Sequence, residues 1–234
     1  MERWLKANNQ NVCVRVVDPQ LKRGDDLRRC VAVFVSIDVP TKADGTQDLD
    51  KLRGVIAGLP DVPVFVRSTI LPGTSEVLTA ETGRRVHFMP EFLSERTADA
   101  DFASQPVVVT GERPLLERIF VGKRIVEMSS LEAEVAKYAH NVFGALKVTY
   151  FNGIFDLCDR LGADYRRVRE GVLASGYVNN VHTNVPGGDG RFGFGGKCFP
   201  KDLSAFAAFC REDSVGRLIN PIEGLNREFR GREP

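Results

Sequence analysis

The sequence predicts an α/β chain, a parallel sheet with helices on its faces followed by an all-helical domain. Two patterns carry this. Over the first half, short β-branched runs alternate with helical periodicity, as strand–helix–strand units require. From Ser130 onward, apolar residues keep a helical period for about thirty residues with no strand pattern among them.

Val12 to Val17, closed by Asp18-Pro19, reads as a strand ending in an acidic residue. Val31 to Ile37 is a second strand and Val64 to Val66 a third. Between them Leu49, Leu52, Val55, Ile56 and Leu59 recur at helical spacing. Further strands are expected around Val86 to Phe88 and Val107 to Val109. Leu131, Val135, Tyr138, Val142, Leu146, Tyr150, Ile154, Leu157 and Leu161 then mark one helix over 130–161, and a helix that long usually joins domains or forms an interface. The expected division is 1–128 and 129–234.

At 234 residues, the chain can hold one large domain or two modest ones. Lys plus Arg number 32 and Asp plus Glu 31, a net charge of +1 that points to neither a nucleic-acid partner nor a membrane surface. Arg166, Arg167 and Arg169 follow Asp164, a plausible N-cap, and read as a solvated helix face. Cysteines at 13, 30, 158, 198 and 210 are odd in number and scattered, so neither a disulfide framework nor a metal site is expected, and a reducing cytoplasm fits. The chain shows no apolar run of transmembrane length and no signal-peptide core at its start.

The densest chemistry lies in Gly193-Phe194-Gly195-Gly196-Lys197-Cys198-Phe199-Pro200-Lys201-Asp202. Its glycines permit close backbone approach to a ligand. Asp202 to Phe209 reads as a helix, which places Cys198 just before a helix N-terminus, where the macrodipole with Lys197 and Lys201 favours thiolate. The alternative is a small buried cysteine in a glycine-rich turn. Lys137 and Asn141 stand i, i+4 on the long helix, where an ammonium and a carboxamide can polarise a hydroxyl and hold an oxyanion; the alternative is a solvated polar pair. If Pro90 opens a helical turn, Glu91 and Glu95 also share a face, and a partly buried carboxylate beside a like charge becomes a better base. Asp18 is placed like the ribose-binding acid of a Rossmann domain. The glycine-rich phosphate turn that should precede it is not among these residues, so the sheet is read as a truncated Rossmann-like one whose first crossover helix opens the chain.

The decapeptide 193–202 resembles the active-site signature of the UDP-glucose dehydrogenase family. Val39-Pro40-Thr41-Lys42, Arg67 to Thr74, Met89-Pro90-Glu91-Phe92-Leu93-Ser94-Glu95 and Glu132 to Asn141 resemble that family's other motifs in the same order. The resemblance implies oxidation at C6 of a nucleotide sugar, UDP-glucose to UDP-glucuronate, by two hydride transfers to NAD through a Cys198 thioester. It implies that Lys137 and Asn141 stabilise oxyanions, that Asp202 steadies the lysine and a water, and that Glu91 and Thr69 manage the hydrolytic water. NAD would lie against Asp18, Arg23, Val39, Thr69, Glu95 and Lys201. The sugar nucleotide would lie against Glu91, Phe92, Leu93, Glu95, Lys137, Asn141, Gly187, Arg191 and Gly195. A homodimer through the long helix, a central dimerisation domain, is implied as well.

The chain also departs from the family pattern. Asn152-Gly153 stands where the family has Asn-Glu, Tyr177 to Asn184 carries no arginine, and a C-terminal nucleotide-binding domain is expected to be missing. His182 reads as a loop histidine bonded to backbone. Two other readings stay open: a shortened homologue that dimerises but binds cofactor poorly, and a β-hydroxyacid dehydrogenase that performs one oxidation without a thiol.

Overall fold

The computed structural model describes residues 1–94 and 97–232. The chain forms two compact units, residues 1–40 with 47–137, and residues 41–46 with 138–234.

The first unit opens with α1 (Glu2–Asn8) and a short antiparallel pair, β1 (Val17–Asp18) against β2 (Arg23–Gly24). The strand expected over 12–17 thus pairs only at its end. Residues 12–16 alternate in exposure as a strand does. Their alternation is local, however, whereas a strand needs a neighbour for its amides and carbonyls. Among the described residues, Val16 meets only Asp25, through its amide to Oδ2 (2.7 Å) and its carbonyl from the Asp25 amide (3.1 Å).

Next come β3 (Val33–Val35), α2 (Asp50–Ala57), β4 (Val64–Val66), α3 (Thr74–Thr82) and β5 (Val86–Phe88), then α4 (Ala98–Ser104), β6 (Val107–Val109), α5 (Arg113–Ile119) and β7 (Ile125–Glu127). Strands β3, β4 and β5 form a parallel sheet in that order, with Val33 opposite Val64 and Val64 opposite Val86. Strands β6 and β7 form a second parallel pair. Thr110, just past β6, links the two: its hydroxyl accepts from the Phe88 amide (3.0 Å) and donates to the Phe88 carbonyl (2.8 Å).

The centre of this unit is β4. Val64 and Val66 pack with Val35, Leu52, Ile56 and Leu78 on one face, while Phe65 packs with Met89, Leu116 and Phe120 on the other. A parallel strand covered on both faces must be apolar throughout, and the run Val-Phe-Val meets that demand. Each such side chain contributes about 1.5–3 kcal/mol by leaving water. The short helices α3, α4 and α5 and strand β7 are additions to the elements expected from the sequence.

Pro90 does not open the helical turn on which a shared face for Glu91 and Glu95 was conditional; residues 89–94 are irregular. Two of their carbonyls find side-chain donors instead. Lys137 Nζ donates to the Glu91 carbonyl (2.5 Å) and Gln105 Nε2 to that of Phe92 (3.1 Å), so these two carbonyls are satisfied without a helical turn.

Helix α6 (Ser130–Leu161) has the expected bounds; its first eight residues belong to the first unit and the rest to the second. In the second unit, α7 (Tyr165–Ala174) is capped by Asp164, whose Oδ1 accepts from the Arg166 amide (2.8 Å). Phe151, Cys158 and Tyr165 form a buried cluster with Phe155 and Val168 packed against it. Helices α8 (Cys198–Phe209) and α9 (Ser214–Arg230) complete the unit, and Tyr138 stacks on Phe206 with ring centroids 4.9 Å apart. The helix expected to start at Asp202 starts four residues earlier. Pro200 causes no break there, since the first turn's amides have no partner within the helix. Among the described residues no helix is long and apolar enough to cross a membrane.

Two glycines of α9 give opposite expectations. A Cβ on Gly216 would lie 1.8 Å from the Cys210 carbonyl oxygen, whereas one on Gly224 meets nothing within 4 Å. Gly216→Ala is expected to destabilise by about 1–3 kcal/mol through overpacking. Gly224→Ala should stabilise by about 0.4–1 kcal/mol through reduced unfolded-state entropy. Urea unfolding of both variants checks the signs.

Candidate active site

The glycine-rich turn of the second unit is held by two asparagines. Gly193 has φ +67° and donates its amide to Asn152 Oδ1 (2.9 Å). Phe194 donates its amide to Asn226 Oδ1 (2.7 Å), and Asn226 Nδ2 donates back to the Phe194 carbonyl (3.0 Å). Gly195 faces the Arg230 guanidinium so closely that a Cβ would lie 2.0 Å from Nη2. Glycine is favoured at 193 by its left-handed backbone, while a side chain at 195 would displace the Arg230 guanidinium.

From that turn the chain enters α8 at Cys198, an exposed residue in the first helical position rather than before the helix. One turn on, Asp202 lies on the same face and is only 1 % exposed. Its Oδ1 accepts from Lys201 Nζ (2.6 Å) and its Oδ2 from Asn141 Nδ2 (2.6 Å). A carboxylate can only accept, so this contact orients the Asn141 amide and turns its Oδ1 to His140 Nδ1, at 3.1 Å. Lys201, expected at the cofactor, and Asp202, expected to steady Lys137, are here each other's partners.

Gly187 and Arg191 close a tight loop through the Gly187 amide and the Arg191 carbonyl (2.8 Å). Arg230 braces it: its carbonyl accepts from Arg191 Nη2 (2.9 Å), and its Nη1 donates to Asp189 (2.7 Å), a bond that holds the Asp189 carboxyl below its usual range. Gly187 also lines a groove of about 370 Å³ with Tyr165, Arg166, Arg169 and Asn184. Tyr165 donates its hydroxyl to the Thr183 carbonyl (2.7 Å), and desolvation pushes its pKa up to about 12. His182 packs edge-on against Phe199, with centroids 5.2 Å apart; this aromatic contact stands where a backbone hydrogen bond was expected.

In the first unit, the segment after β4 carries Arg67, Ser68 and Thr69. The Ser68 hydroxyl accepts from the Ile37 amide (2.9 Å) and donates to its carbonyl (2.6 Å), tying the carboxyl ends of β3 and β4 together. Gln47 holds Thr69 and Leu71 at once, donating to the Thr69 carbonyl (3.0 Å) and accepting from the Leu71 amide (2.8 Å). Arg67 is 3 % exposed and pairs with Glu91, which is 42 % exposed. Glu91 is therefore met by a buried cation; the like charge expected beside it, Glu95, lies outside the described residues. Lys137 is buried, with its ammonium 5.6 Å from the Phe92 ring centroid, and Leu93 packs on the cluster around Phe65. Val39 is buried in the opposite cluster.

Thus Glu91, Phe92 and Lys137 are brought together in one unit, and Asn141, Lys201 and Asp202, one turn from Cys198, in the other. Asp18 and Arg23 are not drawn into either group. Asp18 Oδ1 accepts from the Gln20 and Leu21 amides of its own turn, and Arg23 pairs with Glu2 at 3.1 Å.

Residues 131–228 match the central domain of the UDP-glucose/GDP-mannose dehydrogenase family. Over those residues the chain belongs to that family. A UDP-glucose 6-dehydrogenase of Rickettsia bellii is 26 % identical over 225 residues, 87 % of this chain and 51 % of the relative. A GDP-mannose 6-dehydrogenase of Pseudomonas aeruginosa is 31 % identical over 198 residues, 74 % of this chain and 45 % of the relative. Among solved structures, a UDP-glucose dehydrogenase from Pyrobaculum islandicum superposes with a TM-score of 0.75 at 30 % identity, covering 88 % of this chain and 53 % of that one. A UDP-D-ManNAc dehydrogenase from Pyrococcus horikoshii, at 23 % identity and a TM-score of 0.74 over 97 % of this chain and 61 % of that one, shares the fold. The chain spans about half the length of the curated relatives it matches.

Asn226 and Arg230 were not singled out from sequence, and Asn152 and Arg67 were named there only within longer motifs, without a role. Asn226 carried a readable signal, since Ile219, Ile222, Asn226 and Phe229 form the buried stripe of α9 and a polar residue there needs a partner. Asn226→Ala leaves the Phe194 amide and carbonyl without that partner and is expected to cost about 1–3 kcal/mol. Urea unfolding measures the loss, and faster amide exchange at Phe194 locates it.

Proposed function

We propose that this chain serves the NAD-dependent oxidation of a nucleotide sugar at C6, UDP-glucose to UDP-glucuronate, with Cys198 as the covalent acyl carrier. The observation that carries this reading is an exposed thiol on the first turn of α8, one turn ahead of the buried Asp202 with its Asn141 and Lys201 partners. A β-hydroxyacid dehydrogenase would have no use for that thiol.

NAD, when bound, accepts one hydride in each of the two oxidations. Val39, Thr69 and Lys201 are the residues read as holding it. The loop that begins at Val39 supports the fit, because Thr41 Oγ1 is buried there and meets no hydrogen-bond partner among the described residues. Asn141 and Lys137 supply N–H donors for the C6 oxygen as negative charge grows on it. The Cys198 thiolate adds to the C6 aldehyde; a C–S bond forms and the oxygen takes a proton, giving a thiohemiacetal. Loss of the second hydride and of that proton leaves a thioester on Cys198. Water, handled by Glu91 and Thr69 in this reading, then adds to the acyl carbon, the C–S bond breaks, and carboxylate and thiol separate. Glu91, Phe92 and Leu93, with Gly187, Arg191 and Gly195, are the substrate-side residues.

A second reading, a dimeric partner that binds cofactor weakly, is favoured by the local contacts that engage Asp18 and Arg23. Calorimetric titration with NAD separates the two: micromolar binding with NADH production from UDP-glucose supports the enzyme. Dimerisation is read from α6, where Phe143, Tyr150, Leu157 and Leu161 are exposed at spacings of seven, seven and four residues, one face of a helix.

Two outcomes are expected. Cys198→Ser stops UDP-glucuronate formation by several powers of ten yet keeps part of the first oxidation, because a hydroxyl lacks the thiolate's nucleophilicity and leaving ability. Mass spectrometry of the products checks this, and full acid production by the variant would sink the covalent route. Phe143→Glu with Tyr150→Glu is expected to give monomers with unchanged helicity where the parent sediments as a dimer at micromolar concentration.

A further inference from the structure

Glu134, on the second turn of α6, is fully buried. Its Oε2 accepts from the Gly73 amide (2.6 Å), and its Oε1 accepts from the Ser75 amide (2.9 Å) and hydroxyl (2.6 Å). A carboxylate out of water is costly, and burial pushes this one up from the ordinary carboxylate range while the Ser75 and Gly73 donors pull the other way. These three donors lie at one place, the start of α3. That helix supplies no cap of its own, because its N-cap is Gly73, with φ +89° and no side chain. Glu134 fills the role from about 60 residues along the chain, placing negative charge at the positive end of the α3 dipole.

What this cap closes is the loop from Arg67 to Gly73. Ser68 fastens its start to Ile37, Gln47 fastens Thr69 and Leu71, and Glu134 fastens its end. One turn along α6 from Glu134, Lys137 donates to the Glu91 carbonyl, and the Glu91 carboxylate pairs with Arg67, where the loop begins. The contacts form a closed circuit: loop, Glu134, α6, Lys137, Glu91, Arg67, loop.

We infer that Glu134 is a positioning residue whose carboxylate locks the Thr69 loop and the Lys137 turn of α6 into one rigid arrangement. The importance of that arrangement rests on the roles proposed above for Thr69 and Lys137. Glu134 itself touches no reacting atom. It acts through the loop backbone.

The test pairs amide exchange by NMR with kinetics on the full chain, using Glu134→Gln and, as a milder variant, Ser75→Ala. Gln keeps the shape but turns an acceptor oxygen into a donor facing an amide. Exchange at Gly73 and Ser75 is expected to quicken about a hundredfold, while Val66 and Phe88 in the sheet keep their rates. Ser75→Ala removes only the hydroxyl contact and should quicken the same amides by about tenfold or less. Equal acceleration at Val66 and Phe88 would mean a global contribution to stability alone and would overturn the inference, as would unchanged rates at Gly73 and Ser75 in both variants. With UDP-glucose and NAD, Glu134→Gln is expected to lower kcat about tenfold or more and leave both KM values within about twofold, since misplacing a positioned group slows the chemical step. A rise in KM alone overturns the positioning role. A parent chain that does not oxidise UDP-glucose counts against the proposed function, and the exchange measurement then decides Glu134 without it.

Discussion

A carboxylate taken out of water has to be met by donors, and one such group organises each half of this chain. In the first unit Glu134 is bound by two amides and a hydroxyl, all at the start of α3. In the second, Asp202 is bound by an ammonium and a carboxamide. Removing a partner from a buried charge of this kind typically costs about 3–5 kcal/mol, a large part of a domain's stability. Neither carboxylate can move without leaving donors or charge unsatisfied. Glu134 therefore fixes the backbone it binds, and Asp202 the side chains it binds, with a direction that apolar packing lacks.

The apolar framework makes such rigidity useful. Strand β4 is sealed on both faces, so its only route to solvent is past its ends, and the chain leaves its carboxyl end through Arg67, Ser68 and Thr69. Polar side chains placed there are held by a core that cannot shift. In the second unit the same division of labour recurs. Tyr138 and Phe206 stack and so hold α6 against α8, while Asn152, Asn226 and Arg230 shape the glycine turn that leads into Cys198. Family membership and this geometry are consistent with each other, since residues 131–228, the stretch matching the family's central domain, contain the thiol, Asp202 and Asn141.

Much of this was legible from residue order. The runs at 64–66, 86–88 and 107–109 are strands, the helix over 130–161 has the bounds its periodicity demanded, and residues 193–202 form the turn into a helix that carries the thiol. Departures fell where local pattern and partner choice diverge. Residues 12–17 have the alternation of a strand but pair only at Val17 and Asp18, and Pro90 opens no helical turn, with Lys137 and Gln105 satisfying two of the carbonyls that follow it.

What the sequence determined by itself was periodicity and chain reversal: where backbone is helical or extended, where glycine permits a turn, and which nucleophile sits on that turn. These depend on φ and ψ preferences and on the spacing of apolar side chains, which act over a few residues. Only the tertiary structure decided the partners of the charged and amide groups. Glu134 with Gly73, Asn226 with Phe194 and Arg67 with Glu91 lie 61, 32 and 24 residues apart, distances over which no periodicity operates. A buried polar group must be matched by whatever donor or acceptor the packed core delivers to it, and that delivery is a property of the whole fold.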